Sequence, residues 1–302
     1  MRFKDWATRV VLISLMFVAL SMALLASRVT QLENSTASTP EVANWSPYPS
    51  VQFQSEKNQL QKSLKIFKSP VNIPKIFQKN QTGKSPGVIN TPTFKTTAAF
   101  ASYRPLYEVA RVDPNNYGER FATDINGVPV SNQPIIVLHE TSDSASSAIN
   151  TFQTSYTDEN KQVSYHSLIK LDGTVVYLVP PDKRAFGAGN SVFDSPNGSE
   201  TVQTKANLPP SVNNFAYHVS LETPPDGRGD NRQQSHSGYT EAQYNSLAWL
   251  IAQSQVPDDR ITTHRAVDRS GQRIDPVNFD FDKFLNILHD YRQPIAISRL
   301  RQ

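Results

Sequence analysis

Cysteine is absent from all 302 residues, which excludes disulfides, thiolate metal ligands and a lipid-modified cysteine in one step. The strong metal ligands left to the chain are histidine, aspartate and glutamate. Repeats of the solenoid, coiled-coil or collagen kind are missing as well. Positive charge is scarce where a core could form. Residues 101–302 carry 18 Lys+Arg against 23 Asp+Glu, so this part has no basic face and offers nucleic acid nothing to bind.

Basic residues gather instead at the amino end, with 12 Lys+Arg and 4 Asp+Glu in the first 100 residues. One long hydrophobic run is present: residues 10–26, 17 positions without charge, glycine or proline, preceded by Arg2, Lys4 and Arg9. At ~1.5 Å rise per residue it just reaches across a thin hydrocarbon core. Its cleavage signal is poor, because Leu24 stands where a small residue is wanted before Ala26. The expectation is a transmembrane anchor over residues 1–26, or else a cleaved signal peptide. The positive flank then stays cytoplasmic, and the rest lies on the periplasmic side of the inner membrane or is secreted. Residues 27–101 are rich in Ser, Thr, Pro, Gln, Asn and Lys, hold too little apolar surface for a core, and read as a flexible basic linker.

Residues 102–302 read as an α/β domain, a central mixed β-sheet flanked by helices. The run Pro-Ile-Ile-Val-Leu-His over 134–139 is a buried strand that stops on an imidazole. Residues 144–152 space their apolar side chains three and four apart, as a short helix does. Asp172-Gly173 is the tight turn of a hairpin over 167–179, and 218–221 is a further strand. Thr240 and Gln243 form a capping box ahead of a stripe of Tyr244, Leu247, Ala248 and Ile251. Asp280 caps a last helix carrying Phe281, Phe284, Leu285 and Leu288. Residues 187–210, polar and containing Gly, Pro and Asn, read as a surface excursion beside the site.

The chemistry-bearing residues fall in an ordered set of segments. His139 ends its strand; Val163-Ser-Tyr165-His166 and Tyr217-His-Val-Ser-Leu-Glu222 follow; Ile261-Thr-Thr then leads to His264 and, after ten further residues, to Asp275. In this order they resemble the zinc-dependent N-acetylmuramoyl-L-alanine amidases of the type 2 family, relatives of phage amidase lysozymes and peptidoglycan recognition proteins. The resemblance covers roughly residues 130–290 and implies that Zn2+ is held by His139, His264 and Asp275, with Asp268 as the nearest rival ligand. It also implies Glu222 as general base and Tyr165 as a hydroxyl donor to the oxyanion. Arg273, where many relatives carry lysine, would stabilise that oxyanion by its fixed charge. His166 alternates with Tyr165 along a strand, faces the other way and is structural. His218, His236 and His289 read as packing or surface residues.

The implied activity is hydrolysis of the amide between N-acetylmuramic acid and L-alanine in peptidoglycan or muropeptides, by a monomer held at the membrane through its N-terminal segment. The alternative is a non-catalytic recognition module of the same fold, which binds muropeptides without cleaving them. A glycosidase would need two carboxylates across a sugar groove and leaves the histidines without a role.

Overall fold

Ile135, Ile136, Val137 and Leu138 are exposed by 2% or less, and their strand lies inside a sheet. A continuous apolar run suits that position, because both faces of the strand are covered. The structure, a computed structural model, describes residues 93–229 and 235–295. It opens with β1 (Phe94–Thr96), α1 (Ala98–Ser102), β2 (Tyr107–Val109) and β3 (Tyr117–Glu119). Next come β4 (Ile135–Glu140), α2 (Ala145–Gln153), β5 (Ser167–Ile169), β6 (Val175–Tyr177) and β7 (Lys183–Ala185). β8 (Phe193–Ser195), β9 (Gly198–Glu200), β10 (Ala216–Leu221) and α3 (Glu241–Ala252) follow. The described chain ends with β11 (Ile261–Thr263), α4 (His264–Val267), α5 (Phe281–Tyr291) and β12 (Arg292–Pro294).

Six strands form the main sheet, in the order β11-β4-β10-β5-β6-β2. β4 runs parallel to both neighbours, with Thr263 opposite Leu138 and Ser220 opposite His139. β5 and β6 are the expected antiparallel hairpin, so the sheet is mixed. Its turn needs Gly173, which has φ +84° and no room for a Cβ: one would meet the Ala242 carbonyl oxygen at 2.8 Å.

Strand periodicity divides the central strands between two cores. Ile136, Leu138, Tyr217, Val219 and Leu221 face α3 and α5, whereas Ile135, Val137 and Ala216 face Ala188, Phe193, Val202 and Val267. α3 starts at the capping box read from the sequence, with Thr240 and Gln243 each accepting the other's backbone N–H. Its burial is wider than one stripe, for Ser246, Trp249, Leu250 and Ala252 are buried too. Part of the cover comes from a residue the sequence assigned to the linker, Phe100, which stacks on Trp249 with ring centroids 5.6 Å apart; just after it, the Tyr103 hydroxyl bonds Ser246 Oγ at 2.9 Å. β1 pairs with β12, and the Arg292 guanidinium sits 4.0 Å from the Phe94 ring centroid. The expected linker end at residue 101 is therefore corrected: the domain has begun by residue 93.

Residues 187–210 are also more than a surface excursion. Ala188, Phe193 and Val202 are buried in the second core and β8 pairs with β9, so this is a folded arm against the sheet. The expected membrane segment, residues 1–26, lies outside the described residues. Among the described residues no helix is long and apolar enough to cross a membrane.

Candidate metal centre

Because β11, β4 and β10 are parallel, their carboxyl ends meet at one edge, where open α/β sheets place their ligands. His139 lies near the end of β4 and is fully buried. His264 follows β11 directly as the first residue of α4, whose cap Thr263 accepts the Ala266 N–H. Since Thr263 stands opposite Leu138, the next residue on each strand is a histidine, and the two rings come within 4.6 Å. Asp275 returns across the loop, anchored where the Arg265 N–H donates to its carbonyl at 2.9 Å. Its carboxylate oxygens lie 3.0 Å from His264 Nδ1 and 3.3 Å from His139 Nδ1. One donor atom from each of His139, His264 and Asp275 falls within 4.8 Å of the others.

His139 Nδ1 is buried and makes no hydrogen bond, since its 3.3 Å approach to Asp275 does not complete one. A bare buried nitrogen facing an imidazole and a carboxylate fits a metal, and two nitrogens with one oxygen are a zinc donor set that leaves a position open. The charge states agree. Burial, then repulsion from His264, lowers the His139 pKa to about 4 against the pull of Asp275, so the ring is neutral. Burial pushes Asp275 up, yet the imidazoles of His139 and His264 outweigh it and hold the carboxyl well below its usual range. Both groups are thus in the ligating form near neutral pH.

A cavity of about 630 Å³ opens from this cluster, lined by Tyr165, Gly187, His264, Arg273 and Asp275 among others. The Tyr165 ring stacks on His139 with centroids 4.5 Å apart. Burial, then the Asp275 charge, raises the Tyr165 pKa, so its hydroxyl stays protonated. Arg273 is exposed at the rim; its charge adds slightly to the lowering of His139 and opposes, without reversing, the rise of Tyr165. Asp268, the rival ligand, organises this loop instead: its carboxylate accepts from the N–H groups of Ser270, Gln272 and Arg273.

Glu222 is not brought to the cavity. Its Oε1 accepts from the Ala145 N–H at 3.0 Å and from Arg228 at 2.9 Å, and its Oε2 from the Leu171 N–H at 3.0 Å. The residue beside His139 in the ladder is Ser220, whose hydroxyl is buried without a partner. Glu140, which sequence reasoning passed over, lines the cavity and binds the loop after Asp275: its Oε2 accepts from the Val277 N–H at 3.1 Å and from Tyr239.

His166 is structural, as expected. Its Nδ1 accepts the His218 N–H at 2.9 Å, and its Nε2 lies 3.3 Å from Arg120. Burial, then the Arg120 charge, holds His166 well below its ordinary pKa, and burial lowers Arg120 itself to about 10. His236 bonds Glu140, and His289 pairs with Asp258 at the surface. His218 departs from the packing role read for it, with Nδ1 2.9 Å from His139 Nε2. A signal for this was available, because His218 shares a face of β10 with Ser220, the residue opposite His139.

Comparisons with known proteins follow this geometry. Residues 131–278 match a family model described as N-acetylmuramoyl-L-alanine amidase, a span that encloses all three candidate ligands. No curated protein matches the sequence. Among solved structures, a selenomethionine derivative of AmpD is 24% identical with a TM-score of 0.40, covering 60% of this chain and 94% of that one. AmpD of Citrobacter freundii is 23% identical with a TM-score of 0.38, covering 60% and 90%. Drosophila peptidoglycan recognition protein SD is 13% identical with a TM-score of 0.31, covering 54% and 85%. The match over residues 131–278 supports a member of the type 2 N-acetylmuramoyl-L-alanine amidase family.

Proposed function

We propose that this chain is a zinc-dependent hydrolase that cleaves the amide between N-acetylmuramic acid and L-alanine in peptidoglycan or its muropeptides. The observation that carries the reading is the bare, buried His139 Nδ1 converging with His264 Nδ1 and the Asp275 carboxylate beside a cavity. His139, His264 and Asp275 would hold the ion, which when bound supplies an activated water and a polarised carbonyl. Tyr165 donates its proton-bearing hydroxyl to the oxygen that gains charge as the amide carbonyl becomes tetrahedral. Arg273 adds a fixed positive charge from the rim and, being a guanidinium, does not give up a proton. Glu222, with both oxygens committed to the framework, moves no proton in this reading. The apolar run at residues 10–26 and the basic stretch after it support a place of action at the periplasmic side of the envelope, tethered or secreted.

The test is digestion of purified peptidoglycan by the full chain, with chelator and with zinc restored, products being read by mass spectrometry. Zinc-dependent release of stem peptides beginning at L-alanine is expected. Wall binding without cleavage by zinc-loaded protein would replace the amidase by a recognition module.

A further inference from the structure

A metal-ligating imidazole has a second nitrogen, and the partner of that nitrogen decides which tautomer faces the ion. The second nitrogen of His139, Nε2, points into the core and lies 2.9 Å from His218 Nδ1, with the two ring centroids 5.1 Å apart. We propose that His218 is a positioning residue for the metal centre. Its Nδ1 accepts the Nε2 proton of His139 and so turns the lone pair of His139 Nδ1 toward His264 and Asp275. No proton leaves the pair: His139 carries its proton on Nε2, and His218 carries its own on the far nitrogen. The inference rests on the metal centre proposed above.

The fold builds a place for this ring and gives it one task. A Cβ at position 187 would come 2.5 Å from His218 Nδ1 and 2.6 Å from its Cγ, so only glycine there leaves the imidazole its room. The His166 ring lies parallel to that of His218, at 5.8 Å and 9°, while its Nδ1 fixes the His218 backbone N–H. Arg120 clamps the start of the same strand through the Asn214 and Ala216 carbonyls, at 2.8 Å and 2.9 Å. His218 Nε2 is buried with no partner, which leaves the contact to His139 as the one hydrogen bond of this side chain. Burying an imidazole for packing alone is wasteful, because an aliphatic side chain fills the space without an unmet polar atom. The hydrogen bond to a metal ligand accounts for its presence.

The experiment uses the full chain with 15N-labelled histidine, in which six histidines give separable ring signals. Imidazole proton–nitrogen correlation spectra are recorded with and without zinc, and zinc affinity is measured by competition with a coloured chelator. In the zinc-loaded wild type, His139 should carry its proton on Nε2. His218→Leu should weaken zinc binding roughly 10- to 100-fold, the range for loss of such a partner. It should not lower the melting temperature of the metal-free protein. His218→Asn, whose Oδ1 can occupy the place of Nδ1, should recover most of the affinity, and Gly187→Ala should reproduce the loss by expelling the ring. Unchanged affinity in folded His218→Leu, or a wild-type His139 protonated on Nδ1 with zinc bound, overturns the inference. If His218→Leu does not fold, the wild-type spectrum and His218→Asn decide. A wild-type chain that takes up no zinc refutes the metal centre itself, a separate result.

Discussion

Replacing Glu222 by glutamine changes one atom and one charge at a position where the sequence suggested a catalytic base. The structure makes it a test of framework against chemistry. The carboxylate accepts from two backbone N–H groups, those of Ala145 and Leu171, and from Arg228. A glutamine amide offers a single oxygen, so one buried N–H would face an NH2 group, at a cost of about 1–3 kcal/mol. Loss of the charged pair adds about 1 kcal/mol, a modest figure because the Arg228 side chain is 26% exposed against 11% for Glu222. The sum is about 2–4 kcal/mol, which for a domain of about 200 residues lowers the melting temperature by roughly 5–15 °C. Circular dichroism melts with and without zinc measure this. Turnover of a defined muropeptide, assayed well below the transition, should stay within about threefold, since no general-base contribution of ~100-fold or more is being removed. A variant with an unchanged melting temperature and a hundredfold lower kcat would refute the reasoning and restore Glu222 as the base.

Two further outcomes follow from the same geometry. Arg273→Ala should lower kcat/KM by roughly 10- to 100-fold with little change in melting temperature, because the side chain is exposed and its charge acts on the cavity; Arg273→Lys should recover much of the loss, and unaltered kinetics would remove Arg273 from the site. Metal-free protein should lose stability as pH falls below ~6.5, by about 1.4 kcal/mol per pH unit for each histidine kept neutral by burial, because the unfolded chain takes up protons that the folded one refuses. His166 and His218, held well below the ordinary value, and His139, lowered to about 4, all act in this direction, with their full contribution present above pH 6.5. Urea midpoints that stay flat between pH 7.5 and 5.5 would contradict it.

The candidate metal ligands were legible through the family resemblance, and each also marks a simple event in the chain. His139 stops an apolar run, His264 follows a short β-branched strand, and two parallel neighbours in register bring the next residue of each together. The hairpin at Asp172-Gly173 and the capping box at Thr240 are local chemistry and needed no tertiary information. The folding of residues 93–101 was not legible, because a three-residue strand and one helical turn acquire a reason only from Trp249 and β12, more than 140 positions away. Glu222 shows the limit of strand periodicity. It shares the parity of His218 and Ser220, but the ladder ends at Leu221 opposite Glu140. Beyond that rung, the first N–H of α2 and its partial positive charge capture the carboxylate.

That capture shapes the electrostatics of the centre. With Glu222 drawn to α2, the layer around His139 on β10 consists of His218 and Ser220, one a buried imidazole held neutral and the other an unpaired hydroxyl. Glu140 spends an oxygen on the Val277 N–H and Tyr239. Asp275 is then the one carboxylate in the cluster of described metal-binding groups. A neutral acceptor behind His139 fixes the direction of the ligand without adding negative charge, as a carboxylate in that place would. A divalent cation held there would meet the Asp275 carboxylate directly, with that of Glu140 also lining the cavity, and its remaining charge would act on whatever enters beside Tyr165 and Arg273. In an amide hydrolase that charge would stabilise the carbonyl oxygen as it turns negative, the same oxygen that Tyr165 and Arg273 are proposed to serve.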